Sequence, residues 1–200
     1  LIFYGENQAE YGNAVEENSN PQMDTKFFSS KNNFESLARE KRYKILNMIA
    51  EKHSYDFILT AHHQDDQVET IYMKTKDGSD WISQIGIRDR INRLCRPFLN
   101  ISKNEIKQCA NQREIKWIED PTNYDLSILR NYVRHYQLPH AISLEPKLKY
   151  KLLKKAQKNK YNFENTIQTI KKDSKYLIEN SSQDHLQINR KIIMKYSQQE

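Results

Sequence analysis

The stretch Phe57-Ile58-Leu59-Thr60-Ala61-His62-His63-Gln64-Asp65-Asp66-Gln67-Val68-Glu69-Thr70-Ile71-Tyr72-Met73 decides how this chain is read. An apolar run comes first, then a polar bend, then apolar residues at helical spacing. That order predicts a strand opening onto the start of a helix. Open α/β sheets place their ligands there, outside the carboxyl ends of the strands. Two histidines, two aspartates and a glutamate fall within residues 62–69. Groups so costly to desolvate are not buried without a partner or a task.

Working outward, residues 36–52 read as a helix with Ala38, Ile45, Leu46, Ile49 and Ala50 on one face. Residues 55–60 read as a buried strand and 65–76 as the next helix, ended by Asp77-Gly78. Residues 80–93 read as a loop anchored by Trp81, Ile82, Ile85 and Ile87. Ser102 and Glu105 have the spacing of a capping box, and the helix they open turns Ile106, Cys109 and Ala110 inward. Ile115-Lys116-Trp117-Ile118 reads as a short strand, broken by Pro121. A helix with Ile128, Leu129 and Val133 follows. Beyond it, Leu144, Leu148, Leu152 and Ala156 recur every four residues within a run of lysines, and residues 163–180 read as a separate helix. Leu1-Ile2-Phe3-Tyr4 reads as a strand, and 18–24, with Pro21, as a loop.

Strands alternating with helices predict an α/β domain on a mostly parallel sheet. Three regions follow: an atypical amino-terminal segment (1–30), an α/β domain (31–140) and a basic helical region (141–200). Two hundred residues suffice for one ordinary domain and part of a second. The net charge of +6 suits an acidic partner such as nucleic acid, and lysines 147, 149, 151, 154, 155, 158 and 160 could grip a phosphate backbone or simply form a solvated face. Two cysteines, Cys95 and Cys109, read as buried thiols of a reducing cytosol, which predicts a cytoplasmic protein. No apolar run is long enough for a membrane span, and the start is not a signal peptide. The chain does not begin with Met, so it reads as a fragment.

The residues that could carry chemistry are few. His62, His63, Asp65, Asp66 and Glu69 could form a divalent-metal site, with Asp66 and Glu69 on one helical face. The plainer reading makes Asp65 or Asp66 a helix cap and one histidine a packed core residue. Arg39, Arg42 and Arg96 could meet a nucleotide or sit on a solvated face. Arg130 and Arg134, four apart, could grip phosphates beside Asn123, or pair with Asp120 or Asp125.

Taken together, Ala38-Arg39-x-x-Arg42-Tyr43, Ala61-His62-His63-x-x-Asp66-Gln67-x-Glu69-Thr70, Arg96-Pro97-Phe98-Leu99 and Trp117-x-Glu119-Asp120-x-Thr122-Asn123, with Arg130-Asn131-x-x-Arg134, resemble the tRNA(Ile)-lysidine synthase family. The resemblance runs from about Phe34 to Pro139 and more loosely beyond. It implies a PP-loop ATP pyrophosphatase domain, of the adenine nucleotide alpha hydrolase-like kind, followed by a helical tRNA-binding region. It implies a ligase that forms a C–N bond. ATP and Mg²⁺ adenylate the C2 oxygen of cytidine 34 in a CAU anticodon, and the amine of L-lysine then displaces AMP. By the same resemblance, Asp66, Glu69, His62 and His63 are catalytic, with Asp66 the Mg²⁺ ligand. Arg39, Arg42 and Arg96 meet ATP or tRNA, while Asn123, Arg130 and Arg134 contact nucleotide, lysine or anticodon loop.

The family's Ser-Gly-Gly-x-Asp-Ser loop has no counterpart here: the four glycines are Gly5, Gly12, Gly78 and Gly86, none adjacent. Residues 3–13 instead resemble a segment of the N-acetyl sugar amidotransferases, related ATP pyrophosphatases. A fragment or fusion is therefore expected, binding ATP poorly and turning over little or nothing; the alternative is a divergent member whose nucleotide loop lies elsewhere. Two other functions stand beside the ligase: sugar amidotransfer, and a non-catalytic RNA-binding remnant held by its basic helices.

Overall fold

The computed structural model describes the backbone of residues 2–4, 25–181 and 186–188 and the side chains of residues 37 and 39–172. The expectations for residues 5–24, including the loop at 18–24 and most of the amidotransferase-like segment, lie outside the described residues. The chain divides into two compact units, Leu1–Ala156 and Gln157–Glu200.

The first unit is built on a four-stranded sheet in the order β1-β2-β4-β3, from β1 (Ile2–Tyr4), β2 (Ile58–Thr60), β3 (Arg90–Ile91) and β4 (Leu94–Cys95). β1 and β4 both run parallel to β2, in the register Ile2↔Ile58 and Ile58↔Leu94. The mostly parallel α/β sheet is therefore as the sequence predicts. Residues 80–93 are not all loop. Their last part makes β3, which pairs antiparallel with β4 across the turn Asn92-Arg93. Asn92 sits at φ 52°, a conformation that Asn tolerates better than most residues. The predicted strand over 55–60 shrinks to Ile58–Thr60, because Tyr55 and Phe57 are exposed.

Helix α1 (Thr25–Lys52) buries Leu46 and Ala50, one turn apart, against Ile58 and Leu94. Ile45 and Ile49, expected on that face, are exposed. Helix α2 (Gln64–Lys76) is the centre of the unit. Seven consecutive residues, Val68 to Lys74, are buried, so this helix has no solvent face along that length. Val68, Ile71, Tyr72 and Met73 pack with Val133, Leu138, Leu152 and Ala156. Each Val, Leu, Ile or Met side chain among them contributes about 1.5–3 kcal/mol on burial. A carboxylate at position 69 must therefore find its partners inside the protein.

The capping box at Ser102 opens helix α3 (Lys103–Gln112) as predicted: Ser102 Oγ accepts from Glu105 N, and Glu105 accepts from Ser102 N. Cys109 on this helix is exposed and Cys95 half-buried, which corrects the expectation of two buried thiols. Residues 115–118 form no strand. No described strand pairs with them, and Ile118 is 96% exposed. Helices α4 (Leu129–Tyr132) and α5 (Leu138–Leu144) are joined by a π-turn (Val133–Gln137). A proline inside a helix clashes with the carbonyl four residues earlier, and that carbonyl for Pro139 is His135, inside the widened turn.

Helix α6 (Leu148–Leu177) is one continuous helix where two were expected, and the boundary between units falls within it. Leu152 and Ala156 point inward as their spacing predicts, whereas Leu144 is exposed. In the second unit, strands β5 (Ile178–Ser181) and β6 (Leu186–Ile188) pair antiparallel. No helix among the described residues is long and apolar enough to cross a membrane.

Candidate active site

β2 delivers the chain to His63, and His63 itself caps α2. Its Nδ1 accepts from Asp66 N at 3.3 Å, and Asp66 Oδ2 accepts from His63 N at 2.9 Å. The cap is thus a histidine in a reciprocal box, with Asp66 in the place usually taken by Glu or Gln. An accepting Nδ1 puts the ring proton on Nε2. Burial holds the His63 pKa below its ordinary value, against the opposing pull of Asp66, Asp65 and Glu69. His63 is therefore neutral near pH 7 and keeps one N–H donor on its outer nitrogen.

Glu69 is buried one turn further on, with 2% of its surface exposed. Its Oε2 accepts from Arg130 Nε at 2.9 Å and from Arg134 Nη2 at 2.8 Å, while Oε1 accepts from Arg134 Nε at 2.6 Å. Asp66 Oδ1 takes Arg134 Nη2 at 3.0 Å and Arg130 Nη2 at 3.5 Å. Arg130 also donates to the Asp66 carbonyl at 3.1 Å. Two carboxylates from α2 and two guanidiniums from the opposite helix form a neutral, interlocked square. Both arginines reach the same partners because four residues separate them, and the π-turn begins between them.

Asp65 points elsewhere. Its Oδ2 accepts from Lys103 N at 2.7 Å, at the start of α3, and its Oδ1 from Lys149 Nζ at 2.7 Å, at the start of α6. Burial works against ionisation of Asp65, but the Lys149 and Lys103 hydrogen bonds outweigh it and leave its pKa below the usual carboxylate value. Asp65 thereby ties together three helix ends.

These groups wall a cleft of about 290 Å³, lined by His63, Asp65, Glu69, Lys103, Arg134, Leu138, Pro139 and Ile142. The lining combines charged and apolar side chains. The volume is at the lower end of small-ligand sites, about 300–1,000 Å³.

The structure brings His63, Asp66, Glu69, Arg130 and Arg134 into one network and places the other expected site residues apart from it. His62 is buried below, with Nδ1 accepting from Arg96 Nε at 3.3 Å and a 2.9 Å bond to Thr60 Oγ1. Arg96 is likewise buried, with Nη1 on the Arg88 carbonyl at 2.7 Å. Arg39 lies over the Tyr43 ring, 5.2 Å from its centroid, and Arg42 is half-buried on the same helix. Asn123 is half-buried, and its carbonyl accepts from His135 Nε2 at 3.0 Å. None of these five is among the residues lining the cleft.

Mg²⁺ usually keeps several waters and takes only one or two carboxylates. Both carboxylate oxygens of Asp66, the expected Mg²⁺ ligand, accept hydrogen bonds from the chain. Lys103, Lys149, Leu138, Pro139 and Ile142 did not stand out in the sequence as site residues. Lys149 is one lysine in a run of them, and nothing local distinguishes it.

Comparison with known proteins agrees with this architecture. The PP-loop domain family matches residues 9–141. A tRNA(Ile)-lysidine synthase of Treponema denticola is 42% identical over 109 residues, covering 54% of this chain and 24% of that protein. A tRNA(Ile)-lysidine synthase of Lactiplantibacillus plantarum is 34% identical over 122 residues, covering 59% and 27%. A Schizosaccharomyces pombe protein named probable tRNA(Ile)-lysidine synthase is 37% identical over 160 residues, covering 71% and 34%. The chain thus spans about a quarter to a third of the length of these relatives.

Proposed function

Because this chain belongs to the PP-loop domain family, we propose that it serves an ATP-dependent tRNA(Ile)-lysidine synthase reaction in the cytoplasm, with residues 31–140 as the catalytic domain and 141–200 as a basic tRNA-binding region. The reaction joins L-lysine to C2 of cytidine 34 in a CAU anticodon through an adenylated base. The named relatives support this reading.

The observation that carries the reading is the cleft. Free lysine has an apolar four-carbon stem, an ammonium at each end of its reach and one carboxylate. The cleft sets Leu138, Pro139 and Ile142 against the acidic Asp65 and Glu69 and the cationic Lys103 and Arg134. An apolar wall suits the stem, carboxylates suit the ammonium groups and cations suit the carboxylate. Neutral His63 supplies an N–H to an oxygen that gains charge. ATP, with Mg²⁺ as its counterion, supplies the activation of the base. The Asp66 oxygens hold His63 N and Arg134 in this arrangement, so Asp66 acts on the proposed chemistry by positioning them.

The test is incorporation of radiolabelled lysine into an isoleucine tRNA with a CAU anticodon. ATP-dependent label in the tRNA is the expected result, at the low level of a chain without the Gly-rich loop. Saturation of Arg130 and Arg134 by carboxylates favours one second reading, a non-catalytic RNA-binding remnant. Salt-sensitive tRNA binding with neither label nor pyrophosphate release would select it. Pyrophosphate release stimulated by an N-acetyl sugar, and not by tRNA, would instead select amidotransfer.

A further inference from the structure

Residues 121–137 carry aromatic rings that no step above uses. Tyr124 stacks on His135 with centroids 5.8 Å apart and an interplanar angle of 21°. Tyr132 stacks on Tyr136 at 5.7 Å and 22°. Tyr124 is 66% exposed and Tyr136 54% exposed, so neither ring is there to fill a core. What sets Tyr124 apart is that an exposed ring is held fixed by the chain around it.

The chain holds Tyr124 in place from both sides. Pro121–Tyr124 is a 3-10 turn capped by Asp120, whose Oδ1 accepts from Thr122 N and Thr122 Oγ1, both at 2.8 Å. Asn131 Nδ2 donates to the carbonyl of Thr122 at 2.8 Å and to that of Asp125 at 2.9 Å, one on each side of Tyr124. His135 Nε2 donates to the Asn123 carbonyl. The same short helix that sends Arg134 into the cleft therefore carries, one residue on, the ring that supports Tyr124.

We propose that Tyr124, backed by His135, is a stacking platform for an unpaired RNA base. One face of the tyrosine rests on His135, and a base stacks on the other. Every base has a π-face, and a ring already fixed by the chain loses little freedom on binding, which is what single-strand-binding proteins exploit. The chain's net charge of +6 favours a polyanion as the partner. The inference rests on the reading of RNA as substrate and adds where a loop base sits.

The test uses the full 200-residue chain and an anticodon stem-loop with a CAU loop, carrying 2-aminopurine in the loop. A fully paired duplex of similar composition is the control. Tyr124→Ala is expected to weaken loop binding by roughly ten-fold or more and to abolish quenching of the 2-aminopurine. Tyr124→Phe is expected to keep both, and Tyr124→Leu to lose both. Duplex binding is expected to be the same for all four proteins. Should Tyr124→Ala lose its helical circular dichroism, His135→Ala, which removes the supporting ring and its hydrogen bond to the Asn123 carbonyl, makes the same comparison. Loop binding by Tyr124→Ala and Tyr124→Leu within about two-fold of wild type overturns the platform and leaves the RNA reading standing. A wild-type chain that binds no loop RNA overturns both.

Discussion

Replacing Glu69 by Gln removes one negative charge from a square of two carboxylates and two guanidiniums. The Glu69 oxygens take three N–H bonds from Arg130 and Arg134, at 2.6–2.9 Å. Side-chain exposure is 3% for Glu69, 6% for Arg130 and 19% for Arg134, so water screens these charges little. Gln keeps the shape but turns an NH₂ toward a guanidinium that can only donate, which loses one or two bonds worth about 1.5–3 kcal/mol each. It also leaves two buried cations facing one carboxylate. Breaking a buried pair in this way costs about 3–5 kcal/mol. With a urea m-value near ~2 kcal/mol/M, the unfolding midpoint followed by circular dichroism falls by about 1.5–2.5 M. The double variant Glu69→Gln/Arg134→Gln is expected to lose less than the sum of the single changes, with a coupling of about 0.5–3 kcal/mol. A midpoint for Glu69→Gln within about 0.5 M of wild type would refute the claim that this square holds the helices together.

Three further outcomes follow from the same geometry. His63 is held neutral by burial, so as pH falls below 6.5 the unfolded chain takes up a proton that the folded chain resists, and stability declines with it. His63→Asn keeps a capping side chain and is expected to flatten that decline in denaturation curves taken across this range. Gly86 sits at φ 77°, and a Cβ there would lie 2.6 Å from Gln67 Oε1, which accepts from Ile87 N; Gly86→Ala is expected to cost about 1–3 kcal/mol in urea unfolding. Lys149→Met removes a pair whose two side chains are each 35% exposed, so calorimetry is expected to show a loss of no more than about 1 kcal/mol, present above pH 3.8 and fading as Asp65 protonates in both states.

Local signals were legible in the sequence and distant ones were not. The Ser102 box, the helix after the histidines and the parallel order of the sheet follow from spacing within about ten residues. The cap of α2 shows the limit of that reading: Asp65 and Asp66 are the residues that usually cap, yet His63 does so because Asp66 reaches back to its N–H. Arg130 and Arg134 read from the sequence as phosphate grips, or as partners of their neighbours Asp120 or Asp125. Their partners are Glu69 and Asp66, more than sixty residues away, and only a folded core brings them together. Residues 115–118 have the composition of a strand, but composition needs a neighbouring strand to act on, and none among the described residues pairs with them. The single helix α6 shows the converse, since no proline or glycine interrupts residues 148–177 and a lysine run does not stop a helix.

The grip on Asp65 also sets a schedule. Its two hydrogen-bonding partners stand 38 and 84 residues downstream. On a ribosome adding about 5–20 residues per second, roughly 4–17 s separate the making of this aspartate from the making of Lys149. Through that interval the nascent chain carries an acidic helix end whose cationic partner has not yet been synthesised, and this corner of the cleft is finished only when α6 emerges.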